Sequence, residues 1–239
     1  MIDKYNLMAT DPEFIQRHEA FASDEVVNED GQTLDNETRY MAILATLLGC
    51  QGVETFKVIL AEALDQDFSP IMAKEIVYQA VDYLGFGRVY PFLTAANDVM
   101  ADKGIQLPLE DQATTTMTTR LEKGSEAQMA IFGPGMKDFW RGGHMNRWLA
   151  ANCFGDYYTR KGLDLKQREL ITFCFLAAQG GCESQLSSHI FGNLNLGNDK
   201  SLLIKVVSQC LPFIGYPRSL NAVAAIQKVT EEMQKNAPK

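Results

Sequence analysis

The sequence predicts an all-α protein built from two tandem helical modules. Helix caps and glycine or proline breaks recur at spacings that suit helices, and strand-like alternation of apolar and polar residues is scarce. The chain also repeats itself, because the run 34–39 has a counterpart at 163–168, 129 positions later. A repeat on this scale is typical of a duplicated structural unit, so the two halves are expected to share one fold.

The first module is predicted to cover residues 1–103. Asp11-Pro12-Glu13 predicts a helix start, because a cap, a proline and an acid follow one another in the favoured order. Asp35 predicts the cap of the next helix, and Ser69-Pro70 and Gly85-Phe86-Gly87 predict the breaks after it. Residues 104–125, with a glycine, a proline and a run of threonines, are the predicted linker.

The second module is predicted to cover residues 126–239. Asp164 resembles a helix cap, and the almost wholly apolar stretch 170–178 predicts a buried helix that ends at Gly180-Gly181. A helix over residues 182–194 follows and ends at Gly197-Asn198-Asp199. Pro212 is expected to end or kink the next helix, and Tyr216-Pro217 to start the last one.

The two copies share a few residues in order and differ at the reactive ones. Beyond the run already named, the shared pairs are Leu47/Leu176, Gly52/Gly181, Glu54/Glu183, Gln79/Gln209, Gly85/Gly215, Arg88/Arg218 and Ala95/Ala225. The first copy has Tyr40, Val53 and Leu60 where the second has Glu169, Cys182 and His189. This contrast indicates one scaffolding half and one working half.

Composition narrows the classes of function. The net charge of −8 and the absence of a basic patch argue against a nucleic-acid partner. No apolar run approaches the roughly 20 residues of a membrane span, and residues 1–6 lack the apolar core of a signal peptide. The five cysteines have no disulfide-scaffold spacing, so a reduced, cytoplasmic chain is expected. No cofactor is expected, and three histidines without a ligand cluster predict no metal site.

Cys182 and His189 are the leading candidates for chemistry. They lie seven residues apart, so a helix places thiol and imidazole on one face with Gln185 between them. A helix N-terminus favours a thiolate at Cys182, and the imidazole suits acid–base work. Glu169 is the candidate carboxylate for moving or holding a proton, and Arg218 the candidate for an anionic substrate. Ordinary structural roles remain the alternative for all of them.

Three segments together resemble the carboxymuconolactone decarboxylase family, which includes alkylhydroperoxidase D. They are Arg168-Glu169-Leu170, the run Gly-Cys-Glu-Ser-Gln-Leu-Ser-Ser-His at 181–189, and Gln209 with Gly215-Tyr216-Pro217. The resemblance implies alkylhydroperoxidase D-like all-α modules that pack into multimers, with a trimer of tandem chains favoured. In the peroxidase branch a Glu precedes Cys-x-x-Cys and a His, which Glu169, Cys182 and His189 match. Gln185 replaces the second cysteine of that pattern.

Three functions follow as hypotheses. The first is a peroxidase-type thiol oxidoreductase in which Cys182 is the nucleophile, His189 moves the proton, Glu169 assists, Gln185 donates a hydrogen bond and an external thiol is the reductant. The second is a decarboxylase or isomerase acting on a small carboxylated lactone, with His189 and Glu169 as acid–base groups and Arg218 near the carboxylate. The third is a non-catalytic assembly or ligand-binding module that keeps the fold.

Overall fold

A computed structural model describes residues 4–236, which form an all-α protein without a strand. Residues 1–3 and 237–239 lie outside the described part. These residues include the outer ends of both predicted modules and half of the segment 1–6. Within residues 4–236, no helix has both the length and the apolar character that crossing a bilayer requires. The fold class predicted from caps and breaks is therefore confirmed.

The first part of the chain contains six α-helices. They are α1 (Pro12–Ala20), α2 (Val26–Asn28), α3 (Asn36–Gly49), α4 (Val53–Asp65), α5 (Pro70–Leu84) and α6 (Phe86–Asp102), with a π-helical turn (Phe21–Glu25) between α1 and α2. The starts of α1, α3, α5 and α6 are those expected from their sequence signals. The Asp35 carboxylate accepts a hydrogen bond from the Thr38 amide at 2.8 Å and so caps α3.

The second part contains five α-helices and a long π-helical segment. They are α7 (Arg120–Phe132), α8 (His144–Trp148), the π-helical segment (Leu149–Tyr158), α9 (Leu165–Gln179), α10 (Glu183–Asn195) and α11 (Lys200–Asn236), with short 3-10 turns at Pro134–Met136 and Phe139–Gly142. Asp164 and Gln167 form a reciprocal capping box at α9, with N–O distances of 2.8 and 3.0 Å. The buried helix over 170–178 is confirmed.

The interruption of α11 lies at Gly215 and not at Pro212, which corrects the expectation for this helix. Gly215 has φ 74° and ψ 169°, whereas Pro212 continues the helical path. A positive φ is readily available to glycine only, so the chain turns there and restarts at Tyr216. Gly85, its counterpart in the first copy, has φ 80° and separates α5 from α6 in the same way.

The helices of the two halves correspond in order and in position. The starts of α3 and α9 are 129 residues apart, and those of α4 and α10, and of α5 and α11, are 130 apart. The Arg39 guanidinium donates to the Gln209 side chain at 3.1 Å, and Arg168 donates to Gln79 at 2.8 Å. Each copy thus supplies the arginine for the other copy's glutamine, as a two-fold arrangement of duplicated units requires.

The two predicted modules share one apolar core. Buried side chains of α3, α4 and α5 form a single continuous cluster with those of α9, α10 and α11, and α3 packs directly on α9. A unit of about 70 residues buries too little surface to be very stable alone, so this shared core explains why the halves are fused face to face.

A helical hairpin lies outside this core. It consists of α7 and the π-helical segment, which cross closely at Gly124 and Gly155, where any side chain would overlap a backbone carbonyl. Its own small core includes Ile131, Phe154 and Tyr158. Helix α7 begins at Arg120, inside the predicted linker 104–125, and the preceding residues 105–119 contain no helix.

Candidate active site

A buried histidine–carboxylate pair joins α9 to α10. Nδ1 of His189 lies 2.9 and 3.1 Å from the two carboxylate oxygens of Glu169, which is fully buried. Gly192, one turn after His189, makes room for this carboxylate, since a Cβ there would lie 2.5 Å from Glu169 Oε2. The Asn193 side chain donates to the backbone carbonyls of both Glu169 and His189, which fixes the two helices to each other.

Two tyrosines extend the pair into a directed hydrogen-bond chain. Tyr158 Oη donates to Glu169 Oε1 at 2.8 Å, and Tyr83 Oη lies 2.7 Å from Tyr158 Oη. Burial raises the pKa of both phenols well above the ordinary value, so both keep their protons. With Tyr158 donating to the carboxylate, Tyr83 donates to Tyr158, and each bond in the chain strengthens the next.

This chain sets the role of the histidine ring. Because Glu169 accepts hydrogen bonds from two sides, His189 donates through Nδ1–H, and in the neutral ring the lone pair is therefore on Nε2. Within the described part of the chain, Nε2 has no hydrogen-bond partner, and the side chain is 10% exposed. The edges of Tyr83 and Phe132 border the ring. The ring is thus held in place with one basic nitrogen free.

His189 faces a cavity of about 1240 Å³ between the hairpin, α10 and the end of α11. Cys182 and Gln185 line the same cavity, so three of the predicted site residues meet there, with Glu169 directly behind the ring. The remaining wall combines apolar side chains, among them Phe132, Met136, Phe139, Leu149, Phe154 and Leu176, with polar ones, among them Ser184, Ser187, Ser188 and Asn236. Among residues 4–236, no lysine or arginine lines the cavity.

Cys182 is the N-cap residue of α10, as expected, but its thiol is turned towards α9. Sγ lies 3.6 Å from the Leu176 carbonyl oxygen and 3.6 Å from Nε2 of Gln179. The Gln179 amide in turn accepts a hydrogen bond from Arg88 at 2.8 Å. In residues 4–236, no hydrogen bond joins the Cys182 thiol to the His189 ring. The thiol thus donates to the Leu176 carbonyl and accepts from the Gln179 amide, and both partners belong to α9.

Arg218 is not brought to this cavity. Its guanidinium lies against Gly180, at the junction of α9 and α10. Burial raises the pKa of the Cys50 thiol, and the positive charge of Arg218 offsets part of that increase. The predicted contact between Arg218 and a substrate carboxylate therefore has no support from the cavity's lining. Within residues 4–236, no group of three or more histidine, cysteine or acidic side chains is placed to hold a metal ion.

Four residues of the site had no signal in the sequence analysis. Tyr158 and Gln128 come from the hairpin, and Asp82 and Tyr83 come from the first copy. None belongs to a short motif, and they reach the site only through packing between elements far apart in the sequence. A buried tyrosine pair has no sequence signature, although the buried Glu169 beside it requires hydrogen-bond donors.

Comparison with known families agrees with this geometry. Residues 144–228 match the model of the carboxymuconolactone decarboxylase family. This segment holds Glu169, Cys182 and His189. No curated protein matches the chain.

Proposed function

We propose that the chain is an enzyme of acid–base type, in which His189 moves a proton to and from an organic substrate bound in the cavity. The observation that carries the proposal is the His189–Glu169 pair, with Nδ1 held at 2.9 Å and Nε2 free towards the cavity. A positioned imidazole backed by a buried carboxylate is the usual equipment for proton transfer near neutral pH. The reaction class is a lyase or an isomerase.

In this reaction Nε2 takes a proton from a carbon next to the substrate's carbonyl group. Glu169 remains ionised and stabilises the imidazolium, and Tyr158 keeps the carboxylate aligned. The imidazolium then returns its proton to another atom of the substrate, which completes an isomerisation or follows the loss of a leaving group. The apolar wall keeps water away from the intermediate and strengthens these electrostatic interactions.

Proton exchange into heavy water tests this proposal without knowledge of the natural substrate. Uncharged aryl-substituted γ-lactones serve as probes, and proton NMR measures deuterium incorporation beside the carbonyl. Wild type and Cys182→Ala are expected to catalyse the exchange, whereas His189→Gln is expected to lose it. Exchange that is equal in His189→Gln and wild type, or absent from wild type across the panel, contradicts the proposal.

A thiol peroxidase is the second candidate, because Cys182 lies in the same cavity wall as His189. There the Cys182 thiolate attacks one oxygen of an organic hydroperoxide and the O–O bond breaks. The attacked oxygen is the terminal one, so Cys182 becomes a sulfenic acid and His189 gives a proton to the leaving alkoxide. One external thiol then condenses with the sulfenic acid and releases water, and a second external thiol frees Cys182 from the mixed disulfide. The thiol's contact with the Leu176 carbonyl and the glutamine at position 185 count against this candidate.

Peptide mass mapping after brief treatment with cumene hydroperoxide separates the two candidates. The peroxidase requires that Cys182 be oxidised faster than Cys50, the other half-buried thiol, and that Cys182→Ala abolish peroxide consumption. The acid–base enzyme requires neither. Cys153, Cys174 and Cys210 are buried and serve as internal references for slow oxidation.

The expected homo-oligomer is also a proposal, and exposed apolar residues at equivalent positions support it. Phe86 and Tyr90 on α6 correspond to Tyr216 and Leu220 on α11, and all four are more than half exposed. Such a repeated patch suits contacts between copies of the chain. Light scattering is expected to give a trimer, and Phe86→Glu with Tyr216→Glu to give monomers. A monomeric wild type rules the proposal out.

A further inference from the structure

Two polar side chains in the cavity wall have buried atoms without hydrogen-bond partners. Gln128 is fully buried, and neither its amide oxygen nor its amide nitrogen has a partner within residues 4–236. Oδ2 of Asp82 is likewise buried and unpaired. Both residues line the cavity that His189 faces. Buried polar groups are nearly always paired, so three orphan atoms around one cavity point to something that binds there.

The surroundings of these atoms define what can bind. The rest of this part of the wall is aromatic and aliphatic, and among residues 4–236 the charged groups lining the cavity are the acids Asp82 and Glu232. A ligand carboxylate would therefore be desolvated beside negative charge without a cation to compensate. The Gln128 amide offers a donor and an acceptor side by side, which matches a group that both donates and accepts.

We propose that Gln128 and Asp82 form a recognition subsite for an uncharged amide, hydroxyl or similar group at one end of an apolar or aromatic substrate. The subsite would bind a group of the molecule other than the one that reacts at His189, so the proposal rests on the proposed function only for the identity of the reacting group. Both residues lie outside the family segment 144–228. The family segment supplies the acid–base pair, and the rest of this chain supplies the selection of the substrate.

The subsite suits a neutral substrate, whereas the sequence led us to expect a carboxylated lactone. The carboxylate of such a lactone would need Arg218, which lies beside Gly180 and outside the cavity. Burial, and secondarily the nearby Asp156, raises the pKa of the Asp82 carboxyl to about 7, which keeps it largely neutral in mildly acidic solution and able to donate. Hydrogen-bonding sites of this kind discriminate strongly, because a mismatched ligand leaves buried groups unpaired.

A matched pair of probes tests the subsite through binding alone. The probes are 3-phenylpropanamide and 3-phenylpropanoate, which share size and shape and differ in charge, and calorimetry at pH 8 measures both dissociation constants. Wild type is expected to bind the amide at least tenfold more tightly. Gln128→Leu is expected to weaken amide binding at least fivefold, and Asp82→Asn to reduce the preference over the carboxylate. His189→Gln is expected to leave the preference unchanged, so this test fails independently of the proton-exchange test.

The melting temperature of the unliganded variants distinguishes a ligand subsite from a structural residue. Gln128→Leu removes two unpaired buried atoms and is expected to raise the melting temperature. Gln79→Leu is the matched control, because Gln79 is equally buried but fully bonded to Arg168 and Thr172, and its loss is expected to lower the melting temperature. A Gln128→Leu variant that melts at a lower temperature and binds the amide as tightly as wild type would show that Gln128 holds a buried water instead. Equal affinity of wild type for the two probes would also overturn the proposal.

Discussion

The two copies of the helical unit place different chemistry on the same framework. In the second copy, Glu169 on the first core helix meets His189 on the next, deep in an apolar cavity. In the first copy, Tyr40 on the first core helix donates to Glu62 on the next at 3.0 Å, and Lys4 neutralises Glu62 at 3.1 Å. When the copies are aligned by their helix starts, which are 130 residues apart, Ile59 corresponds to His189 and Gly52 to Cys182. The sequence comparison instead paired Leu60 and Val53 with them, a shift of one residue.

This difference separates what both copies share, a polar bridge between two helices, from what the proposed chemistry requires in addition. Both copies bridge the same two helices with a polar contact, so such a bridge is compatible with the framework. Within residues 4–236, the second copy pairs an imidazole with its carboxylate where the first copy uses a phenol, and the larger and more apolar cavity adjoins the imidazole. The corresponding cavity of the first copy, about 670 Å³, is lined by the charged residues Lys4, Glu19, Lys57, Glu62 and Asp65.

Replacing the acid of each bridge is the strongest way to break the comparison. Glu169→Gln keeps the shape but removes the charge that stabilises the imidazolium, so proton exchange is expected to slow by about 10²–10⁴-fold. Glu62→Gln in the first copy is expected to leave the rate within about twofold, because its partner Tyr40 is not at the cavity that His189 faces. Equal losses in both variants would mean that the first copy contributes to the chemistry directly.

The two arginines that join the copies are expected to show the second-largest difference, in how much stability is lost when each is replaced. Arg168 is fully buried and bonds to Glu75, Gln79 and two backbone carbonyls, whereas Arg39 is half-buried and donates to Gln209. Arg168→Met is therefore expected to lower the free energy of unfolding by about 3–5 kcal/mol, because Glu75 loses a charge partner in the core. Arg39→Met is expected to cost about 1 kcal/mol. Urea unfolding measures both values, and similar costs would contradict the asymmetry.

Gly192 tests the close packing behind the histidine. In Gly192→Ala the new methyl group would lie 2.5 Å from Glu169 Oε2 and 2.8 Å from Ile131, so a loss of about 1–3 kcal/mol in stability is expected. Proton exchange should fall as well, since the carboxylate must move. Gly87→Ala on α6 is the control, because a Cβ there meets no atom within 4 Å. A fully stable and active Gly192→Ala variant would show that Glu169 has free space around it.

The smallest expected effect is a pH dependence from Asp82. Folding raises its pKa from 3.8 to about 7, so the protonated carboxyl is favoured in the folded state. Its contribution to stability is complete below about pH 3.8 and is lost as the pH rises through 7. Between pH 6 and 8, wild type is expected to lose roughly 1 kcal/mol relative to Asp82→Asn. Parallel profiles for the two proteins would place Asp82 in contact with water.

Much of the fold was predictable because its signals are local. Asp35, Ser69 and Asp164 cap the helices that their spacing indicated, and Gly85 and Gly180 end the helices before them. Helical spacing and the contrast between the copies single out Glu169 and His189 as candidates for a similar reason, and the structure brings these two side chains together. The break at Pro212 was wrong because proline only disfavours a helix, whereas Gly215 adopts a backbone angle that other residues avoid.

By itself, the sequence determined the helical framework, the resemblance of residues 144–228 to a known family and the candidates for the acid–base pair, because periodicity and caps act over a few residues. Only the tertiary structure decided the cavity, the tyrosine chain from Tyr83 and Tyr158, the orientation of the Cys182 thiol and the unpaired atoms of Gln128. These features depend on contacts between residues far apart in the chain, 75 positions for the tyrosine pair, or on the direction of single side chains. The physical reason is that a core can be closed by many combinations of side chains, and spacing along the chain does not specify which of them meet.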